Sequence, residues 1–460
     1  MIDIAIIGGG ASGTLLLLQL LRQTTKPLHI AVFDRTNCFA RGAAYGTAEP
    51  HHLLNVRCSR MGAFAEEPNH FFRWLQDHPE QWQPFCTFPP HVDSFLSRKL
   101  YGNYLNDLLQ KALNDPHNPS QVYCRPAEVT ELKFQSEVWH LQTAAQSYVA
   151  KQVVLALGNY PPRFPLKNKS FLDHPNFIKH PWKNSLEKIP CDQSVLILGT
   201  GLTAIDQLLT LFQQQKHRGT VHVMSRRGLF PQSHLTYNGL ETFYETEPLP
   251  KTARHLVHDI RNKNRKLLAN NRNWQVTVES LRSWTQKLWN NLSLLEKKKF
   301  LRHAMPYWDI HRHRCAPVLA AQLQQWQLEK RFVLHRGRLF QSKINNNHFK
   351  IYYRSRHQLS IQSFTCQWII NATGLEQDYT KIVDPLVQNL LKQKIVVPHP
   401  LKMGLEVDAT GRLQNGKGKY WNTLFTLGPP RRGYLLETTA IPEIRSQAKE
   451  LAELLLQNLS

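Results

Sequence analysis

The sequence predicts an α/β protein built from two Rossmann-like, doubly wound domains with a helical insertion, and three observations carry that reading. A strand, a glycine turn, a helix and a second strand follow one another over residues 2–34. The same order returns at residue 194, about 190 residues further on. Between about residues 231 and 331 strand patterning fades, and Leu281, Trp284, Leu288, Trp289, Leu292 and Leu295 recur at helical intervals instead. Two copies of one supersecondary unit imply two open, mostly parallel sheets.

Each element has a local cause. Residues 2–7 form an apolar run ended by Gly8-Gly9-Gly10-Ala11-Ser12-Gly13, and Leu15 to Leu18 read as a buried helix. Residues 29–33 make the second strand. Residues 159–169, rich in proline, are expected to cross to the second unit. There residues 195–198 form a strand, Gly199-Thr200-Gly201-Leu202-Thr203-Ala204 the turn, residues 205–215 a helix and residues 220–224 a strand. Strand character resumes at 349–354 and 368–370. A last helix is expected from about Ala440, with Thr438 or Thr439 as its cap and Pro442 tolerated in its first turn. The expected division is a first domain of residues 1–160 completed by 366–460, and a second of 161–365 carrying the insertion.

Composition narrows the class. The chain has 460 residues, with 57 Lys+Arg against 34 Asp+Glu, a formal net charge of +23. Length allows two or three domains with cores of their own. No stretch approaches the roughly 20 apolar residues of a membrane helix, so a cytoplasmic protein is expected. The seven cysteines are scattered without a C-x-x-C pair, which argues for reduced thiols and against the usual redox dithiol or zinc spacing. The basic residues are dispersed, as on a solvated face. Nucleic acid or an anionic membrane surface rests on net charge alone.

The glycine turns carry the chemistry. In Gly8-x-Gly10-x-x-Gly13 the first glycine permits the tight turn, the second lets the backbone approach a pyrophosphate, and the third lets helix pack on strand. Asp34 follows 21 residues after Gly13, where a carboxylate accepts hydrogen bonds from a ribose 2′-hydroxyl. The second turn, Gly199-x-Gly201-x-x-Ala204, is followed at its strand end by Ser225-Arg226-Arg227 instead of an acid. Guanidinium groups bind a 2′-phosphate that a carboxylate would repel, so NADPH is expected over NADH; the alternative is that both arginines are plain surface charges. Two further strands end in glycine, at Gly158 and at Asn371-Ala372-Thr373-Gly374. His303, Asp309, His311 and His313 invite a metal reading, but fixing the insert or contacting a nucleotide suits the segment better, and no metal is expected.

The segments GGGASG, RGAAYGTAEPHHLLNV, GTGLTAID, SRRGLFPQSH, HRHRCAP, NATGLEQDY and LGPPRRGYLLETTAIPEIRSQA run from Gly8 to Ala448. In them the chain resembles the FAD/NAD(P)-binding proteins of the bacterial YdhS type, relatives of flavin-containing and N-hydroxylating monooxygenases. The resemblance implies a two-dinucleotide-binding-domain flavoprotein with FAD in the first site and NADP in the second. By that analogy residues 41–61 pass beside the flavin with Asn55 among its nearest polar groups, unless His51, His52 and Asn55 only hold the loop together. Gly428, Glu437, Thr438 and Thr439 would lie near the flavin, with the start of the last helix aimed at it; an ordinary docked helix is the alternative. His180-Pro181-Trp182 falls where related enzymes carry a linker motif, but its spacing differs and no role is transferred. The activity implied is a monooxygenase in which NADPH reduces FAD and reduced flavin engages O2 through C4a-hydroperoxide chemistry on a small-molecule substrate. An NADPH-dependent reductase or oxidase without oxygen insertion, or a flavin-bound sensor or nucleic-acid-associated protein, are the alternatives.

Overall fold

The computed structural model describes residues 1–162, 164, 171–182, 186–237, 239–240, 242–244, 248–345, 348–355 and 360–459. Ile2–Ile7 is buried on both faces, Ile4 and Ile6 in one core cluster and Ala5 and Ile7 in another, and parallel strands flank it on both edges. His29–Phe33 lies on one side, with Ile6 opposite Val32, and Ser147–Leu155 on the other, with Ile6 opposite Val154. The sheet extends to Gln121–Arg125 beyond the first neighbour, and to Tyr420–Thr426 and the antiparallel edge Arg412–Gln414 beyond the second. Val129–Gln135 and Val138–Thr143 add an antiparallel hairpin against Ser147–Leu155.

The helix Ala11–Gln23 buries Leu15, Leu16, Leu17 and Leu20 in one cluster with Ile444, Ala448, Leu451 and Leu455 of the terminal helix Ile441–Gln457. Each such leucine contributes about 1.5–3 kcal/mol. The first and last helices of the chain are therefore packed together on one face of the first sheet.

The second sheet runs Ile361–Cys366, His348–Ser355, Phe332–Asn345, Val221–Ser225, Val195–Leu198, Trp368–Asn371 and Phe177–Ile178, parallel from Phe332–Asn345 onward. Trp368–Asn371 sits between two strands of this sheet, so the second unit continues past the expected boundary at 365. The expected helix 205–215 begins earlier, as Leu202–Leu209, and widens into a π turn over Thr210–Gln214. Of the crossing segment at 159–169, residues 163 and 165–169 lie outside the described residues.

The insertion is a bundle of short helices, Ala253–Ala269, Trp274–Ser280, Thr285–Asn291, Leu294–His303 and Met305–Arg312. Pro317–Leu328, expected within it, instead packs Leu319, Leu323 and Trp326 onto the core of the second sheet, and is the crossover helix into Phe332–Asn345. The insert packs Phe243, Leu281 and Trp289 against Leu401, Met403 and Leu436 of the first unit's C-terminal part. Among the described residues no helix is long and apolar enough to cross a membrane.

Candidate cofactor crevice

Both glycine turns sit where a parallel strand hands the chain to a helix. Gly8 adopts φ +113°, and a Cβ there would lie 2.2 Å from the Ala156 carbonyl oxygen. A Cβ on Gly13 would lie 2.0 Å from the Gly8 oxygen, so strand and helix touch without side chains between them. Asp34 is tied to this turn. Its Oδ2 accepts from Gly9 N at 2.9 Å, and its Oδ1 accepts from Thr36 N at 2.8 Å and Thr36 Oγ1 at 2.6 Å. It remains half-buried, so its carboxylate can accept a further bond at the strand end. Ala11 and Ser12 open a helix whose N-cap, Gly10, supplies no side-chain bond, leaving the first N–H groups without an intrahelical partner.

The second turn repeats this with one instructive difference. Gly199 adopts φ +124°, with a Cβ position 2.0 Å from the Ala372 oxygen. Thr200 Oγ1 lies 2.9 Å from Ser225 Oγ and 2.6 Å from the Leu229 oxygen, pinning the turn to the neighbouring strand. Gly201, however, has an ordinary φ of −79°, and nothing lies within 4 Å of its Cβ position. Neither backbone conformation nor packing calls for glycine there. The open space lies at the N-terminus of Leu202–Leu209, where Thr203 is half-buried in the first turn and unpaired N–H groups suit a phosphate. Gly374 (φ +94°) and Gly158 (φ +65°) likewise face open space, and Thr373 Oγ1 donates to Asn371 Oδ1 at 2.8 Å.

The arginine pair is divided. Arg226 is exposed at the end of Val221–Ser225. Arg227 turns to the insert, its Nη2 3.4 Å from the Arg302 oxygen and its guanidinium 5.7 Å from the centre of the Tyr307 ring.

The loop at 41–61 lies against the first turn: Gly42 Cα is 3.3 Å from the Cβ position of Gly10. His52 holds that loop together, as one of the two expectations had it, and does more. Its Nδ1 is 2.9 Å from Thr47 Oγ1, while its Nε2 is 3.1 Å from Thr210 Oγ1 and 3.2 Å from the Asp206 oxygen in the second unit. Burial pushes its pKa down to about 3, aided by nearby Arg98. The Asn55 carbonyl accepts from His234 Nε2 at 3.0 Å, and His51 is exposed. Arg98 completes the junction with an ion pair to Asp206 at 3.1 Å and a stack on Trp182. Burial raises the Asp206 pKa to about 6 against the pull of that arginine. Sequence reasoning missed this junction, because its partners are about 110–160 residues apart.

The start of the terminal helix differs from expectation. Its N-cap is Ala440, without a side-chain bond, and Pro442 occupies its first turn. Thr438 is not a cap: it is 1% exposed, donates to the Gly428 oxygen at 2.9 Å and accepts from Gln447 Nε2 at 2.8 Å. Gly428 (φ +73°) has Ser12 Oγ 3.1 Å from its Cβ position, so this cluster abuts the first glycine turn. Thr439 lines a cleft with Gly158, Asn159, Tyr160, Glu376 and Arg432. Glu437 faces the insert, accepting from Trp308 Nε1 at 2.8 Å, with Arg312 Nε at 3.7 Å and His313 Nε2 at 3.8 Å. Glu443, in the helix's first turn, pairs with Arg282 at 3.0 Å and Arg312 at 2.9 Å. Arg312 thus fastens the insert to the helix, and Arg312 and His313 hold it to the segment just before. Among the described residues no group of three or more His, Cys, Asp or Glu is placed to hold a metal ion.

Two parallel-rich sheets, each entered through a strand–glycine turn–helix unit, with the chain returning to the first at Tyr420–Thr426, define the fold of the two-dinucleotide-binding-domain flavoproteins. Residues 5–160 match a family model described as FAD-NAD(P)-binding. Among solved structures, the chain is similar to an ornithine N-hydroxylase from Kutzneria sp. 744, with a TM-score of 0.66 at 12% identity over 100% of both chains. It is similar to an L-lysine 6-monooxygenase from Pseudomonas syringae, with a TM-score of 0.68 at 15% identity over 100% of both. A bacillithiol disulfide reductase from Staphylococcus aureus shares the fold at a TM-score of 0.60 and 12% identity, covering 100% of this chain and 99% of its own. No curated protein sequence matches the chain.

Proposed function

We propose that this protein is an FAD-dependent, NADPH-oxidising monooxygenase acting on a small molecule. The observation that carries the reading is the pairing of an acid-anchored glycine turn in the first unit with the open Gly201 turn and exposed Arg226 in the second. In this reading the helix opening at Ala11, Ser12 and Gly13 takes the FAD pyrophosphate, and Asp34 takes its ribose. Gly201, Thr203 and the adjoining N–H groups take the NADPH pyrophosphate, and Arg226 its 2′-phosphate. FAD, when bound, supplies hydride acceptance from NADPH and reaction with O2. The residues of this chain hold the two nucleotides, with Gly158 and Thr439 lining the cleft and Thr373, Gly374 and Gly428 in the neighbouring turns. Residues 1–160 with the C-terminal part would form the FAD domain, and the second sheet with its insert the NADP domain. The N-hydroxylating monooxygenases among the solved neighbours support this reading, and a YdhS-type identity and a cytoplasmic location are part of the proposal.

Oxygenation is favoured over dithiol reduction by the cysteines. All seven are free thiols, Cys58, Cys315 and Cys366 are buried, and none lines the cleft. Purified protein should carry flavin and oxidise NADPH in preference to NADH. NADPH oxidation, H2O2 release and 18O incorporation are then measured against fractionated small metabolites. A fraction that lowers H2O2 per NADPH and yields an 18O-labelled product supports the monooxygenase. H2O2 or reduced acceptor that accounts for all NADPH in every fraction would establish a reductase or oxidase instead.

A further inference from the structure

The insertion concentrates the chain's positive charge. Residues 251–314 hold 15 Lys+Arg against 4 Asp+Glu, a surplus of 11 within the total of +23. Each of the four acids is already engaged. Asp259 accepts from the Tyr244 hydroxyl at 3.0 Å and lies 3.5 Å from His255, while Glu279 is buried in a pair with Arg314. Glu296 holds Lys299 and the Ala253 N–H, and Asp309 lies 3.9 Å from His313.

The helix Ala253–Ala269 arranges part of this surplus as a stripe. Leu256 and Leu267 are buried on its inner side. On the outer side Arg254, His258, Arg261 and Arg265 follow at steps of four, three and four residues, which is one helical face, and all are exposed. Arg265 Nη1 donates to Asn262 Oδ1 at 3.3 Å, and among the described residues no carboxylate pairs with any of the three arginines. The next step of the same face is Leu268, 51% exposed and about 21 Å from Arg254 at 1.5 Å per residue. At the other end Glu296, 2.9 Å from Ala253 N, brings up the start of Leu294–His303. There Leu294 and Leu295 are 42% and 63% exposed, and Lys298 and Arg302 are exposed as well.

We propose that this face docks the protein on an anionic lipid surface. A row of arginines with no acid among them is complementary to a layer of negative headgroups, and each such charge adds to the attraction. The aliphatic side chains at both ends decide the occupant. A leucine gains by entering the boundary between headgroups and acyl chains. A nucleic acid, the other polyanion, offers it sugar and phosphate, and is gripped through stacked aromatic rings instead. The inference goes beyond the oxidoreductase reading and does not depend on it.

The test floats the full-length protein, with its flavin, on phosphatidylcholine vesicles carrying about one-third phosphatidylserine, and on phosphatidylcholine alone. It should bind the first, come off as salt rises, and ignore the second. Arg254→Gln, Arg261→Gln and Arg265→Gln together should weaken binding about a hundredfold, roughly fivefold per arginine. Lys392→Gln, Lys417→Gln and Lys419→Gln remove the same charge from exposed positions of the first unit and should weaken it less than about threefold. Leu268→Ser with Leu295→Ser should weaken binding about tenfold and leave its salt dependence unchanged. All eight positions are exposed, so melting temperatures should stay at the wild-type value. Absence of binding to the anionic vesicles, equal loss in the two triple variants, or leucine variants that bind like wild type would each overturn the proposal. Arginine variants that lose affinity for duplex DNA but keep the vesicles would assign the face to nucleic acid. The function proposed above fails on a different result, a protein that takes up no flavin and oxidises no NADPH.

Discussion

Glycines that look alike in a motif serve different ends. Gly199 is held by φ +124° and the Ala372 carbonyl, so Gly199→Ala should lower the melting temperature sharply or prevent folding. Gly201 has no such constraint. Gly201→Ala should cost at most about 1 kcal/mol, the usual penalty of alanine at an N-cap, while Gly201→Val should raise the KM for NADPH with little further loss of melting temperature. Thermal unfolding beside NADPH kinetics separates the two positions. The arginines divide in the same way. Arg226→Ala should weaken NADPH more than tenfold and leave NADH nearly unchanged, since a charge-assisted phosphate contact contributes roughly 1.5–3 kcal/mol. Arg227→Ala should discriminate less between the nucleotides, because that side chain rests on Arg302 and Tyr307 of the insert. The sequence could announce the pair but not this split, which depends on an insert some 75 residues away.

At the level of elements, the parts with local causes were legible. The two strand–turn–helix units, the crossover of fold class and the terminal helix, one residue from its expected start, follow from apolar runs and glycine or proline punctuation. Phe332–Asn345 was not, because only Phe332, Gly337 and Ser342 of its fourteen residues are buried, with no period-2 alternation, and it carries a bulge near Leu339. Pro317–Leu328 was read as part of the insertion because its polar face resembles the helices before it, and only contact with Phe212 and the sheet assigns it. Thr438 looked like a cap from its position, yet Gln447, a turn and a half into the helix, claims its hydroxyl. The charges around this helix start give two predictions. Glu443→Gln removes the carboxylate shared by Arg282 and Arg312 and should cost about 2–3 kcal/mol in urea denaturation, below the full cost of stripping a wholly buried pair because Glu443 keeps some water contact. Glu437 has its pKa held below the usual carboxylate value; burial alone would raise it, but His313, Arg312 and the Trp308 N–H outweigh that. Glu437→Gln keeps an acceptor for Trp308 and removes a buried negative charge close to the cleft, so it should raise the flavin midpoint potential by tens of millivolts in spectroelectrochemical titration.

Across the whole molecule, acidity should act through buried histidines. Burial lowers His52 to about 3 and His234, His335 and His399 each to about 4, below the ordinary 6.5. Between those values the unfolded chain binds protons that the folded chain refuses, so stability is full above pH 6.5 and is lost as pH falls toward 4. Asp206, raised to about 6, and Asp309 and Glu406, also raised by burial, work in the opposite sense over part of that range, while burial lowers His70, His217, His222 and His313 too and adds to the first effect. Melting temperatures measured from pH 7.5 to 4.5 should fall, and His52→Asn should flatten the slope. The loop that carries His52 has a consequence for how the two nucleotides behave toward each other. It touches Gly10 through Gly42 at one end and, through His52, Thr210 at the far end of the helix that the second turn opens, so one loop joins the first turn to the second turn's helix. Their occupancies are then bound by thermodynamic reciprocity: whatever factor the first ligand imposes on the affinity of the second, the second must return in equal measure to the first.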